Sequence, residues 1–332
     1  MSASAVRLSV LDLCPIVQGS TPAQALRNAQ ALARHAENEG FQRYWVAEHH
    51  NMTGIASAAT SVVMGYLAAS TERIRIGSGG IMLPNHAPLQ IAEQFGTLES
   101  LYPGRIDLGL GRAPGTDPAT AAALRRGRAD GEDFPEMLAE LRALFAPSQP
   151  GQRLQAVPGA GLDIPIWLLG SSTYSAQLAG SLGLPFAFAG QFSPDYMYAA
   201  LNAYRDHFQS SPDLQQPYFM LGINAYVAES TEQAQFLASS HQQAFLNLRR
   251  GQPGPLPPPV ADIDSLWQPH ERHMVLSTLA GTLMGDEATV ANQLSDLLER
   301  TGVDELIVNC SIFDQALRRE SYSRLQKVAA KL

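Results

Sequence analysis

The sequence predicts an α/β chain that folds as a (β/α)8 TIM barrel with an inserted loop region before the last strand. Apolar strand-like runs alternate with helical patterns, and eight such runs can be counted along the chain. The 332 residues, of which 45% are hydrophobic, are enough to bury one large core. Eight covered strands are typical of a barrel rather than of a six-stranded doubly wound sheet. We therefore expect residues 1–332 to form a single domain.

The first half of the chain predicts four strands and the helices between them. Thr21, Pro22 and Gln24 have the pattern of a capping box at a helix start, and Gly40 is expected to end that helix. The predicted strands are Arg7–Leu13, Arg43–Ala47, Arg73–Gly77 and Arg105–Leu110, and the predicted helices are Thr21–Glu39, Ala58–Ser70 and Leu89–Leu101.

The second half predicts four more strands after a polar loop from Arg112 to Asp130. Ser193 and Ser230 are expected to cap helices, and the five prolines of Gly251–Asp262 forbid helix, so this segment is the predicted insertion. The predicted strands are Pro165–Leu169, Phe186–Ala189, Tyr218–Ala228 and Glu305–Asn309, and the predicted helices are Asp133–Phe145, Thr173–Leu182, Pro194–Phe208 and Thr231–Leu248.

Composition excludes several classes of function. The net charge is −8 and no Lys/Arg cluster is present, so neither nucleic acid nor an anionic membrane is an expected partner. Cys14 and Cys310 are too few and too far apart for a disulfide scaffold or a zinc site. No apolar run approaches the ~20 residues that span a bilayer, and the first residues lack a signal-peptide core. We expect a cytoplasmic protein.

Barrel enzymes place their catalytic groups where the strands end, and two strand ends here carry ionisable residues. The first strand ends at Asp12, and the second is followed by Glu48, His49 and His50. Neighbouring strand residues point to opposite faces, so the last three are not expected to bind one metal ion. One imidazole in the barrel mouth can move a proton near neutral pH, or the two histidines can simply satisfy loop main chain.

The ends of the fourth and fifth strands predict an anion site. Arg112 follows one strand, and Ser171, Ser172 and Ser175 open the next helix, which together offer a cation, hydroxyls and free helix N–H groups. The alternative is that Ser172 is an ordinary N-cap and Arg112 a surface ion-pair partner.

Two further patterns bear on cofactor binding. Gly79 and Gly80 leave bare main chain for a flat ligand, or form a turn. The chain shows no Gly-x-Gly-x-x-Gly run that would indicate a Rossmann site. His270 and His273 have helical spacing but lack companion ligands, and we assign them no role.

Three segments in order resemble the bacterial luciferase-like monooxygenase family. They are Trp45–His50, Ile76–Pro84 and Gly104–Arg112, and the stretch Pro165–Pro185 is also similar. The resemblance covers essentially the whole chain. It implies a barrel enzyme that uses reduced FMN and dioxygen to oxidise a small organic substrate, with a separate flavin reductase and a homodimeric state.

The family resemblance also implies roles for individual residues. Arg112, Ser172 and Ser175 match the positions that hold the FMN phosphate, and Gly79–Gly80 matches a cis peptide under the flavin ring. His49 matches the histidine beside the reactive flavin edge. From their positions at strand ends, rather than from the resemblance, we expect Asp12, Glu48 and His50 to orient it or line the mouth. The segment Gly251–Asp262 falls where the family has a mobile lid, or its prolines make it a stiff strap.

Two departures from luciferase itself argue against light emission. Gly111 stands where luciferase has a reactive cysteine, and Ser171 stands where luciferase has an acidic residue. Three other functions remain open: hydride transfer with a deazaflavin, flavin storage without turnover, and a barrel hydrolase. The last has no nucleophile and base motif to support it.

Overall fold

The computed structural model describes residues 6–113, 117–125 and 131–332. Eight parallel strands form a closed barrel, because the last strand pairs with the first strand on one side and with the preceding barrel strand on the other. The barrel strands are β1 (Arg7–Asp12), β2 (Arg43–Val46), β3 (Arg75–Ser78), β5 (Ile106–Gly111), β6 (Ile166–Gly170), β7 (Phe186–Phe188), β8 (Phe219–Val227) and β10 (Glu305–Asn309). The predicted TIM barrel is confirmed.

Two short strands, β4 (Ile81–Met82) and β9 (Leu283–Gly285), extend β5 and β8 at the C-terminal end of the barrel. Helices cover the outside, and no helix among the described residues is long and apolar enough to cross a membrane. The helices are α1 (Pro22–Glu39), α2 (Thr60–Ala68), α3 (Pro88–Leu101), α4 (Pro118–Arg125), α5 (Phe134–Phe145), α6 (Thr173–Ser181), α7 (Met197–His207), α8 (Thr231–Arg249), α9 (Pro269–Thr278), α10 (Glu287–Thr301) and α11 (Gln315–Ala329).

Local sequence explains most helix boundaries. The Thr21 hydroxyl accepts a hydrogen bond from the Gln24 amide at 3.2 Å, and Gly40 ends α1 with a φ of +83°, which favours glycine. Ser230 caps α8 through the Gln233 amide, as predicted. The expectation for Ser193 is wrong. A 3-10 turn intervenes before α7, and the Ser193 hydroxyl donates to the Ser171 carbonyl instead.

The predicted polar loop from Arg112 to Asp130 is only partly correct. Residues Pro118–Arg125 form α4, because this Ala-rich segment has high helix propensity and the Asp117 carboxylate accepts from the Ala119 and Thr120 amides at its start. Residues 114–116 and 126–130 of that segment lie outside the described residues.

The insertion before the last strand is larger than its proline-rich part. The proline strap (Gly251–Asp262) is extended, and α9, β9 and α10 follow it before β10. Leu256 bonds through its main chain to both Ile16 and Gln18, each at 2.8 Å, which ties the strap to the loop after β1. These bonds favour the stiff strap over the mobile lid.

The N-terminal end of the barrel is closed by an ion cluster of Arg43, Arg75, Asp107 and Glu305. The Asp107 carboxylate accepts from Arg43 Nη1 and Arg75 Nη2 at 2.7 Å each, and Arg43 Nε also bonds to Glu305 at 3.1 Å. Trp45 Nε1 donates to Asp107 from the barrel interior at 3.1 Å. Because both carboxylates are fully buried, their pairing is a condition for burying them at all.

Candidate active site

A cavity of about 530 Å³ opens at the C-terminal end of the barrel. Strand alternation decides which residues reach it, because in each strand every second side chain points into the barrel. Seven of the nine predicted site residues line the cavity: His49, Gly79, Gly80, Arg112, Ser171, Ser172 and Ser175. The other two, Asp12 and Glu48, are buried in the wall.

The anion cradle (Arg112, Ser171, Ser172 and Ser175) forms one side of the cavity. The Arg112 guanidinium lies over the Tyr174 ring, 4.4 Å from its centre, and has no acidic partner among the described residues. The sequence alternative of a surface ion pair is therefore not realised in this part of the chain.

The serines of the cradle are also free to bind a ligand. Ser172 precedes α6 without capping it through its side chain, so the first N–H groups of the helix remain open. Gly170 lets Ser175 approach, since a Cβ at residue 170 would lie 2.6 Å from Ser175 Cβ. Within residues 6–113, 117–125 and 131–332, the three serine hydroxyls make no hydrogen bond to protein. Such a set of a cation, hydroxyls and a helix N-terminus suits a phosphomonoester.

Gly79 and Gly80 form the floor between β3 and β4, and the peptide bond that joins them is cis. A Cβ at residue 79 would lie 2.8 Å from Leu11 Cδ1, and one at residue 80 would lie 2.8 Å from the Gly109 carbonyl oxygen. Neither position has room for a side chain. The floor is therefore bare main chain, against which a flat ring can lie.

Glu48 is the centre of a hydrogen-bonded cluster beside this floor. Its carboxylate accepts from the Met82 amide at 3.0 Å and from Asn85 Nδ2 at 3.1 Å, and it contacts His50 Nε2 at 2.8 Å and His86 Nε2 at 3.0 Å. Burial opposes the charged form, but the bonds from His86, Asn85 and His50 hold the pKa of Glu48 below its ordinary value.

The Glu48 cluster follows the strand rule of the sequence argument. Glu48 and His50 share one face, whereas His49 between them turns to the cavity. Ligand atoms of Glu48, His50 and His86 lie within 4.8 Å of one another, a spacing that a metal site would also have. Four hydrogen bonds already satisfy the carboxylate, however, so the geometry favours a positioning role for Glu48 over metal binding.

Asp12 does not reach the cavity, and the expectation that it orients His49 has no geometric support. Leu11 faces the barrel interior, so the next residue points outward, where the Asp12 carboxylate accepts from Arg318 Nη2 at 2.8 Å and from the Cys14 amide at 2.9 Å. Tyr44 donates to its second oxygen. These bonds join β1 to α11, which indicates a structural role.

Several cavity residues were not recognised in the sequence. His241, Phe245, Leu248 and Arg249 of α8 also line the cavity, and so does Gln191, whose side-chain oxygen is buried without a partner among the described residues. They come from elements distant in sequence, and only their helical spacing of 4, 7 and 8 residues links them in advance.

The residues present fit FMN. The anion cradle has the donors that a phosphate requires, the floor admits a flat ring, and the unpartnered Gln191 oxygen offers an acceptor to a ring N–H group. Apolar wall residues, among them Ala187 and Met82, leave space for the ring system.

Comparisons with known proteins agree with this fit. The profile of the luciferase-like monooxygenase family matches residues 7–305. A luciferase-like monooxygenase of Escherichia coli (strain K12) is 52% identical over 333 residues, covering 100% of this chain and 99% of that protein. The N-acetyl-S-alkylcysteine monooxygenase of Bacillus subtilis (strain 168) is 32% identical, covering 96% and 97%.

Solved structures show the same fold. The crystal structure of apo-MsnO8 superposes with a TM-score of 0.89 at 35% identity, covering 97% of this chain and 98% of that one. The FMN complex of the oxygenating constituent of 3,6-diketocamphane monooxygenase from Pseudomonas putida has a TM-score of 0.72 at 17% identity, covering 99% of each chain. An F420-dependent secondary alcohol dehydrogenase has a TM-score of 0.66 at 16% identity, covering 98% and 99%.

Of these structures with the same fold, one is an FMN complex and another is an F420-dependent enzyme. The family profile matches residues 7–305, and a relative that is 52% identical covers the whole chain. The chain therefore belongs to the luciferase-like monooxygenase family.

Proposed function

We propose that this protein is an FMN-dependent monooxygenase that oxidises a small organic molecule with dioxygen. One observation carries the proposal: a single cavity joins an anion cradle that has no acidic partner among the described residues, a side-chain-free floor and the His49 imidazole. Each feature alone has a simpler explanation, but their convergence at the C-terminal end of a barrel is typical of a cofactor site.

The residues have separate roles in this proposal. Arg112 and the hydroxyls of Ser171, Ser172 and Ser175 hold the phosphate, with help from the free N–H groups of α6. Gly79 and Gly80 support the ring. Bound reduced FMN supplies the electrons for oxygen activation. His49 holds or moves a proton at the cavity wall, since an imidazole changes charge near neutral pH.

One relative supports a small organic molecule as the type of substrate. The N-acetyl-S-alkylcysteine monooxygenase, which shares almost the full length of this chain, acts on a small sulfur compound according to its name. We extend the proposal to a small-molecule substrate, a separate flavin reductase that delivers reduced FMN, and a cytoplasmic homodimer.

Titration with FMN and with F420, in oxidised and reduced forms, tests the cofactor. We expect saturable FMN binding and weaker F420 binding. Absence of saturable FMN binding would overturn the proposal, and a clear preference for F420 would replace it with hydride transfer.

The chemistry is tested with a reductase-coupled assay of oxygen consumption and product formation, with an S-alkylated N-acetylcysteine as the first probe. His49→Ala is expected to retain FMN and lose product formation, because the proton-transferring group is removed. His273→Ala, which changes an exposed histidine of α9, is the matched control. If His49→Ala leaves the reaction with bound reduced flavin and dioxygen unchanged, the protein is a flavin carrier.

A further inference from the structure

One face of α8 presents polar groups to the cavity that the flavin proposal does not use. His241, Phe245, Leu248 and Arg249 line the cavity, and their spacing puts them on one side of the helix. His241 and Arg249 are separated by two helical turns, roughly 12 Å along the axis. Phe245 and Leu248 lie between them, so the face has an apolar middle and a polar residue at each end.

His241 is held as a neutral donor. Tyr226 OH lies 2.7 Å from His241 Nδ1, and this nitrogen is the one acceptor that the described residues offer to the buried Tyr226 hydroxyl. A buried hydroxyl proton needs an acceptor, so Nδ1 carries the lone pair and Nε2 carries the hydrogen. Burial also lowers the pKa of His241 to about 4, which keeps the ring neutral near pH 7. The Nε2–H group, on the opposite ring edge from Tyr226, has no partner among the described residues.

Arg249 is a cation without a counter-ion in the described part of the chain. Its guanidinium lies over the Phe245 ring, 4.9 Å from the ring centre. The neighbouring Arg250 behaves differently, because its Nε and Nη2 donate to the two carboxylate oxygens of Glu271 at 2.7 Å each, which joins the end of α8 to α9. In a chain with a net charge of −8, an unpaired arginine at a cavity wall is available for a ligand.

The position of Arg249 favours a carboxylate over a phosphate. It stands in the last turn of α8, where unpaired carbonyl groups carry partial negative charge. The anion cradle, by contrast, adds serine hydroxyls and the N-terminus of α6 to the Arg112 guanidinium. A singly charged carboxylate can take two parallel bonds from one guanidinium without further donors.

We propose that this face of α8 selects an elongated carboxylic acid as the substrate: Arg249 binds the carboxylate, Phe245 and Leu248 pack on an apolar middle, and His241 Nε2 donates to an acceptor at the other end. This inference rests on the proposed flavin function, since it assigns the substrate half of the same cavity. It also adds a specificity determinant that lies outside the flavin-binding residues.

The test uses the FMN-loaded protein and a panel of alkyl and aryl carboxylic acids, each paired with its primary amide, with binding measured by ligand-observed NMR and calorimetry. In the wild type we expect acids to bind about tenfold more tightly than their amides. Arg249→Gln is expected to remove that preference and to leave amide binding and FMN affinity unchanged. Arg249→Lys should restore part of it, and Arg300→Gln, which removes an exposed arginine on α10, should have no effect.

A second arm tests the donor. Keto acids with a distant carbonyl should lose affinity in His241→Phe, while simple acids of the same length should not.

Outcomes that overturn the inference are distinct from failure of the flavin proposal. Equal binding of acids and amides, an unchanged preference in Arg249→Gln, or absence of binding by every acid overturns it while FMN still binds. Loss of FMN affinity in Arg249→Gln would assign this arginine to the cofactor and also overturn it. Absence of FMN binding by the wild type is failure of the underlying function.

Discussion

At the N-terminal end of the barrel, Arg43 and Arg75 bond to Asp107, and Arg43 also bonds to Glu305. At the C-terminal end, Arg112 and Arg249 line a cavity and have no acidic partner within the described ranges. Arginine residues therefore serve two different purposes at the two ends of this barrel. The arginines that are paired with buried carboxylates hold the strands together. The arginines without an acidic partner among the described residues are available to a ligand.

The largest effect is expected from removing a carboxylate of the ion cluster at the N-terminal end of the barrel. Asp107→Ala leaves two arginines facing a buried space without their carboxylate, and we expect the free energy of unfolding to fall by about 3–5 kcal/mol. Denaturant unfolding followed by tryptophan fluorescence measures it, and Asp296→Ala, which removes an exposed ion pair with Arg300 in α10, is the control with a change of about 0.5 kcal/mol or less. A loss at Asp107 as small as the control would contradict the assignment.

Removing the Arg112 guanidinium at the C-terminal end of the barrel should leave the free energy of unfolding nearly unchanged. Among the described residues Arg112→Gln removes the stacking on Tyr174, whereas the proposed phosphate loses a charge-assisted bond. FMN affinity should fall by about 10- to 100-fold, since such bonds contribute roughly 1.5–3 kcal/mol. Flavin fluorescence titration and denaturant unfolding on the same samples separate the two effects. Unaltered FMN affinity would remove Arg112 from the proposed site.

Acid should lower the free energy of unfolding through His241, at the C-terminal end of the barrel. Its pKa in the folded protein is lowered to about 4 from an ordinary 6.5, so the unfolded chain takes up the proton first as pH falls. This contribution is complete above pH 6.5 and is lost as pH drops towards 4, with a ceiling of about 3 kcal/mol that partial exposure of the ring reduces to roughly 1–2. Comparing the pH dependence of unfolding in His241→Gln and in the exposed-site control His273→Gln measures it. Equal slopes in both variants would refute the assignment.

The smallest effect is expected from a single hydroxyl of the cradle. Ser175→Ala should weaken FMN binding by about fivefold, corresponding to a net hydrogen bond of roughly 1 kcal/mol. Ser181→Ala, at the exposed far end of the same helix, should leave FMN affinity unchanged. The same titration serves both variants, and a parallel loss in the two would point to a general effect on α6.

Local patterns predicted the barrel better than they predicted its mouth. Strand alternation and helix caps such as Thr21 depend on neighbours in sequence, so the ring of eight strands could be predicted. Arg112 and Ser175 could be placed together because consecutive strands end at one edge. The contact of Glu48 with His86 and the contact of Asp12 with Arg318 could not be predicted, because each joins elements that are distant in sequence. The cavity face of α8 was missed because His241 and Arg249 reach the cavity from a helix and not from the strand ends at which site residues were expected.

The contact between the strap and the loop after β1 has a consequence for the width of the mouth. A Cβ at Gly54, in the loop after β2, would lie 2.1 Å from the Gly254 carbonyl oxygen, and Leu256, two residues further along the strap, is bonded to the loop after β1. One added methyl group at residue 54 is expected to push the Gly254 carbonyl, and with it the strap, away from this contact, and Met52 and Ile55 on either side of Gly54 line the cavity. Residue 54 is therefore a position at which the width of the cavity mouth can be altered by a single side chain.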